Sequence, residues 1–110
     1  MATTYSTLGQ SNPSAATPTT LYTCPAATQT VISSLVVCNQ AATSATYRIA
    51  VRKNAAVLDA SMYQVYDATI AANTTVSYTL GMTVDASDLV VVYASTNTMS
   101  FTAFGSEITA

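Results

Sequence analysis

The chain has 110 residues, enough for one domain with a real core, and carries a formal net charge of −2 with only three basic residues. Three cations are too few to neutralise a phosphate backbone, which argues against nucleic acid as the main partner. The longest apolar runs, Leu35-Val36-Val37-Cys38 and Leu89-Val90-Val91-Val92-Tyr93, fall far short of the roughly 20 residues of a spanning helix, so no membrane segment is expected.

Charged residues make up 7% of the sequence, against about 25% in an average domain; 20 Thr, 19 Ala and 12 Ser stand in their place. A freely diffusing monomer generally keeps a charged skin for solubility. A chain without one is expected to be covered by neighbours, as a subunit of a homo-oligomer or a larger assembly. Thr, Val, Tyr and Ile fit a pleated surface, whereas helix formers are scarce and Glu107 is the only glutamate. The fold class expected is all-β.

In chain order, residues 1–19 read as an extended N-terminal arm ahead of a β-sandwich domain over residues 20–110. Thr3–Gln10 suits a short strand whose only large apolar anchors are Tyr5 and Leu8. Pro13 and Pro18 then bias their predecessors away from helix. Such an arm either lies across its own domain or reaches a neighbouring subunit. The start carries neither a basic nor an apolar signal region, so first folding in a cytoplasm is expected.

Leu21–Cys24 reads as a strand ended by Pro25, and Gln29–Asn39 as a longer one that becomes continuously apolar. Ala45–Lys53 alternates with Tyr47, Ile49 and Val51 on one face and Arg48 and Arg52 on the other. Met62–Ile70 alternates less decisively. Thr75–Leu80 follows a turn at Asn73, Gly81 marks a bulge or bend, and Val84–Asp88 reads as a loop. Leu89–Ala94 and Met99–Phe104 complete seven or eight strands, the pattern of an antiparallel sandwich, jelly-roll or immunoglobulin-like, with a closed barrel as the alternative. The expected core is Leu21, Val31, Leu35, Val37, Tyr47, Ile49, Val51, Leu80, Leu89, Val91, Tyr93, Phe101 and Ile108.

The chain has no His, which removes the commonest general base and most transition-metal sites from its repertoire. Asp85 and Asp88 lie three apart in a loop but lack the spacing of a calcium loop, and Asp59 and Asp67 are not expected to converge. Cys24 and Cys38 show no metal-ligand spacing and read as free, buried thiols. No cofactor and no enzymatic activity are expected. The one local concentration of charge is Arg48, Arg52 and Lys53, a candidate surface for an acidic partner. Tyr63, Tyr66 and Tyr78 are candidates for sugar stacking, although the chain has no Trp.

Four segments carry a resemblance: Leu8-Gly9-Gln10-Ser11-Asn12-Pro13-Ser14, Leu21-Tyr22-Thr23-Cys24-Pro25-Ala26, Leu35-Val36-Val37-Cys38-Asn39 and Phe104-Gly105-Ser106-Glu107-Ile108-Thr109. They resemble a group of small virion structural proteins encoded in tailed-bacteriophage genomes. The resemblance implies a particle component assembled in the bacterial cytoplasm and supplies no catalytic residues. Among such components, size and composition favour a head decoration (cement) protein, a class of small β-rich domains, often trimeric, that clamp capsomers through N-terminal arms. The partners implied are the major capsid protein or other virion proteins and further copies of the chain, a trimer being favoured. Tyr5, Leu8, Arg48, Arg52 and Lys53 are the candidate interface residues. A neck, tail or baseplate subunit is the structural alternative, and a small receptor- or carbohydrate-binding domain the alternative of a different class.

Overall fold

The computed structural model describes residues 2–79 and 81–109, and among them nine strands form two antiparallel sheets packed face to face. In chain order these are β1 (Ala2–Ser11), β2 (Thr19–Thr23), β3 (Thr28–Asn39), β4 (Ala45–Arg52), β5 (Tyr63–Ile70), β6 (Thr75–Tyr78), β7 (Met82–Val84), β8 (Leu89–Ala94) and β9 (Met99–Thr109). One sheet runs β1-β9-β3, with β6 and β7 end to end along the free side of β3; the other runs β2-β8-β4-β5. Counting β6 and β7 as one interrupted strand, this is the strand order of a jelly roll, with the first and last strands paired in the same sheet. In an immunoglobulin fold those two strands belong to opposite sheets. No helix among the described residues is long and apolar enough to cross a membrane.

The sandwich expected from the sequence is therefore present, with nine strands against the seven or eight expected. The extra strand is β7, formed where a bend and a loop were read: Gly81 makes the bend at φ +63, and Met82 and Val84 turn inward on either side of exposed Thr83. Residues 2–11 of the expected arm are built into the first sheet as β1, paired with β9 from Ala2↔Thr109 to Ser11↔Phe101. The next strand starts at Thr19, and Pro13 between them is buried.

The core follows the pleat. On β3 the inward residues are Thr28, Thr30 and Ile32, then, after a bulge at Ser33, Leu35, Val37 and Asn39. On β8 they are Val90, Val92 and Ala94, so Leu89 and Tyr93 of the expected core face outward. Val31 and Ile108 also lie on the outer side, half-buried, whereas Leu21, Leu35, Val37, Tyr47, Ile49 and Phe101 are buried as expected. Leu80 lies outside the described residues. Tyr47 sits at the centre, edge-on to both Tyr78 and Phe101, with its hydroxyl bonded to that of Tyr78.

Each end of the sandwich is closed by one buried polar side chain. At one end the Asn39 amide donates to the carbonyls of Thr43 and Ala71, while its oxygen accepts from Ala41 N–H at 3.1 Å. At the other end Asp88, 2% exposed, ties the β4–β5 connection to the turn before β8. These bonds satisfy groups whose burial would otherwise cost free energy.

Candidate functional site

Arg48 and Arg52 of β4 and Lys53 just beyond it end in three separate arrangements. Arg48 points outward from β4, opposite a bulge in β5 where pairing skips from Tyr47↔Ala68 to Ile49↔Val65. The skipped residues are Tyr66 and Asp67, and Asp67 takes a left-handed conformation at φ 51. That bulge turns both of them toward Arg48. The guanidinium lies 4.2 Å from the ring centroids of both Tyr66 and Tyr93, and it donates to both oxygens of Asp67, from Nε at 2.6 Å and from Nη2 at 3.2 Å. The bond from Arg48 holds the Asp67 carboxyl below the usual carboxylate range. Arg48 thus has its acidic partner within its own chain.

Arg52 donates to the carbonyls of Ala56 at 2.6 Å and Ala55 at 3.1 Å, bracing a short turn in which Asn54 and Ala55 have positive φ. Lys53 reaches Asp88 at 3.2 Å. Asp88 also accepts from the backbone N–H of Asn54 at 2.8 Å and of Asp85 at 2.9 Å. Burial pushes its carboxyl upward, but the bonds from Asn54, Asp85 and Lys53 together hold it below the ordinary value. Its oxygens are turned to these donors, while the Asp85 carboxylate accepts from Ala86 N–H.

Beside the Arg48 cluster, Leu58, Asp59, Ala60, Tyr63 and Tyr66 line a shallow open cleft of about 590 Å³. Tyr63 and Tyr66 meet edge to face at 4.8 Å. Tyr78, also read as a stacking residue, packs instead against the core at Tyr47. Tyr66 is legible in the sequence as a candidate, but its grouping with Asp67 and Tyr93 is not, because a bulge leaves no mark in an indecisive alternation.

The two apolar anchors of the expected arm also separate. Tyr5 stands out from the middle of β1 at 82% exposed, whereas Leu8, at the register break between Thr7 and Gly9, packs against the core. Tyr5, Ser106, Val31 and Thr83 form one cross-strand row on the outside of the five-stranded sheet, and Phe104 lies diagonally beside Tyr5.

That outer face has a property no single residue reveals. Its outward positions are occupied by Thr, Ser, Gln, Val, Tyr, Phe, Ile and Cys38, and by none of the eight charged residues of the chain. Arg48, Arg52 and Asp67 lie on the other sheet; Lys53, Asp59, Asp85 and Asp88 lie in connections. Glu107, though on β9, turns inward, where its carboxylate accepts from the Tyr22 hydroxyl at 2.5 Å. Burial and this carboxylate raise the Tyr22 phenol well above the ordinary tyrosine range.

Both thiols are free: Cys24 is buried against Thr28 and Thr30, while Cys38 is half-buried on the charge-free face between Thr75 and Ser100. Cys24 follows β2 at the Asp88 end of the sandwich, whereas Cys38 lies beside Asn39 at the other end. No family model, no curated protein and no solved structure matches this chain.

Proposed function

We propose that this chain is a structural subunit of a tailed-bacteriophage particle, a head decoration protein that stabilises the shell by contacts with capsid subunits. The observation that carries the reading is the charge-free outer face of the five-stranded sheet. A sheet face of Thr, Ser and Gln with scattered apolar side chains loses little hydration free energy when covered, since no ion has to be stripped of water. Repeated over a shell, standard interfaces of about 1,600 Å² each add up without any one contact being strong. The four segments that resemble phage virion proteins support the same reading.

The test is incorporation into particles. Hundreds of copies per purified particle are expected, with Cys38 open to maleimide in the isolated protein and protected on the particle. Ser77→Lys combined with Thr75→Lys, at exposed outward positions, is expected to abolish incorporation while leaving the melting temperature unchanged. Absence from particles would sink the reading, and a dozen copies or fewer would move the protein to the neck, tail or baseplate. A carbohydrate-binding role is the second reading, favoured by the cleft at Tyr63, Tyr66 and Asp59. Binding on a glycan array that is lost in Tyr66→Ala would establish it.

A further inference from the structure

Every open sheet has edges, and proteins blunt them with charges, prolines, bulges or short strands. Three of the edges here are managed in that way. β6 and β7 have four and three residues, β2 has five, and β5 carries its bulge with Asp67 at positive φ. β1 is the exception. From Ala2 to Thr7 it is exposed throughout, without a charge, a proline or a break in register.

The sequence of that edge complements itself. Thr3-Thr4-Tyr5-Ser6-Thr7 has nearly the same chemistry read in either direction, with Tyr5 at its centre. We infer that β1 pairs antiparallel with β1 of a second copy of this chain about a twofold axis at Tyr5. In that register Tyr5 faces Tyr5, Thr4 faces Ser6 and Thr3 faces Thr7. These are aromatic and hydroxyl pairs of the kind that stabilise antiparallel ladders. The contact is isologous, as a twofold axis requires, and it closes at two copies rather than the three suggested by the resemblance. It also joins the two charge-free faces into one continuous surface, so the inference deepens the assembly reading and rests on it for its use.

The ladder is shorter than a standard interface, so the dimer is expected to be of micromolar stability and populated at about 100 μM. Sedimentation equilibrium of the full chain at that concentration is expected to give twice the mass of the chain. Tyr5→Lys and Tyr5→Glu each place like charges across the axis; each is expected to weaken association at least tenfold. Because Tyr5 is 82% exposed, both variants are expected to keep the wild-type melting curve. Mixed in equal amounts they are expected to re-form a dimer, which only a contact of residue 5 with itself explains. Tyr5→Cys in a Cys38→Ser background, oxidised in air, is expected to lock as a disulfide dimer. A monomeric or trimeric wild type, a Tyr5→Lys protein that still dimerises, a mixture that stays monomeric or a folded Tyr5→Cys protein that does not cross-link would each overturn the pairing. A monomer that still incorporates into particles defeats the pairing and leaves the assembly reading standing. A dimer absent from particles does the reverse.

Discussion

Asp88→Asn tests whether one buried carboxylate closes its end of the sandwich. The substitution keeps the shape of the side chain and replaces one acceptor oxygen by a donor. Asp88 holds two backbone N–H groups, from Asn54 at 2.8 Å and Asp85 at 2.9 Å, and Lys53 Nζ at 3.2 Å. Asparagine can keep only one oxygen in place, so a backbone N–H is left facing an amide NH₂. An unsatisfied buried donor costs about 1–3 kcal/mol. The Lys53 pair adds at most about 1 kcal/mol, because the lysine is 64% exposed and its charge is screened by solvent. The expected loss is about 1–4 kcal/mol, a fall in Tm of about 4–20 °C for a domain of this size. Urea unfolding followed by circular dichroism measures it, with Lys53→Met as the control at about 1 kcal/mol or less. If Lys53→Met costs as much as Asp88→Asn, the ion pair and not the backbone N–H groups holds the loop, and the reasoning fails.

The pH profile has two limbs. The depressed carboxyl of Asp88 contributes stability that is present above its ordinary value of 3.8 and is lost as pH falls below it, so Tm drops on acidification and drops less in Asp88→Asn. Tyr22 and Tyr47 are raised above the ordinary 10.0 by burial first, then by Glu107 and Tyr78 respectively. Their contribution is present below 10.0 and is lost as pH rises beyond it; a flat Tm above that pH would contradict it. Gly105→Ala puts a Cβ 2.0 Å from the carbonyl oxygen of Val31, which cannot yield without parting β3 from β9; a loss of about 3 kcal/mol or more is expected. Gly81→Ala, where the space is open but φ is +63, is expected to cost only about 1–2 kcal/mol, and thermal melts of the two variants check the ranking. Arg48→Met is expected to leave the fold intact while changing the ring chemical shifts of Tyr66 and Tyr93, and a Tm loss matching that of Asp88→Asn would refute the view that this cluster is a surface feature.

Strand positions were legible in the sequence wherever polar and apolar residues alternate. Ala45–Lys53 is the clear case, since Tyr47 and Ile49 point in and Arg48 points out as read. The Leu89–Tyr93 run was legible as a strand but not in its facing, because five consecutive apolar residues carry no period-two mark; Val90 and Val92 face inward instead of Leu89 and Tyr93. β3 misled for a different reason. The sandwich interior turns polar at the Thr28 end, where Thr30 meets Tyr22 and Cys24, so the hydroxyl residues were the inward ones and Val31 the outward one. The different placements of Tyr5 and Leu8 were not legible because a one-residue register break inside β1 decides which of them reaches solvent. The basic trio looked like a free patch because Asp67 and Asp88 are distant in sequence and become partners only through a bulge and a turn.

With few charges available, their placement matters more than their number. The charges lie on the four-stranded sheet, in the connections or, for Glu107, half-buried against Tyr22 on the inward side of β9, and none faces outward from the five-stranded sheet. A protein that needed charge only for solubility would be served by ions spread over both faces. Keeping them off the outer face of the five-stranded sheet instead leaves the molecule one side on which like-charge repulsion cannot oppose close packing. A single lysine added to the charge-free face should therefore disturb assembly more than one added on β5 of the other sheet, although both positions are exposed. That difference, read from particle incorporation of Ser77→Lys against Gln64→Lys on exposed positions of β6 and β5, separates an orienting role of the charge pattern from a mere shortage of charge.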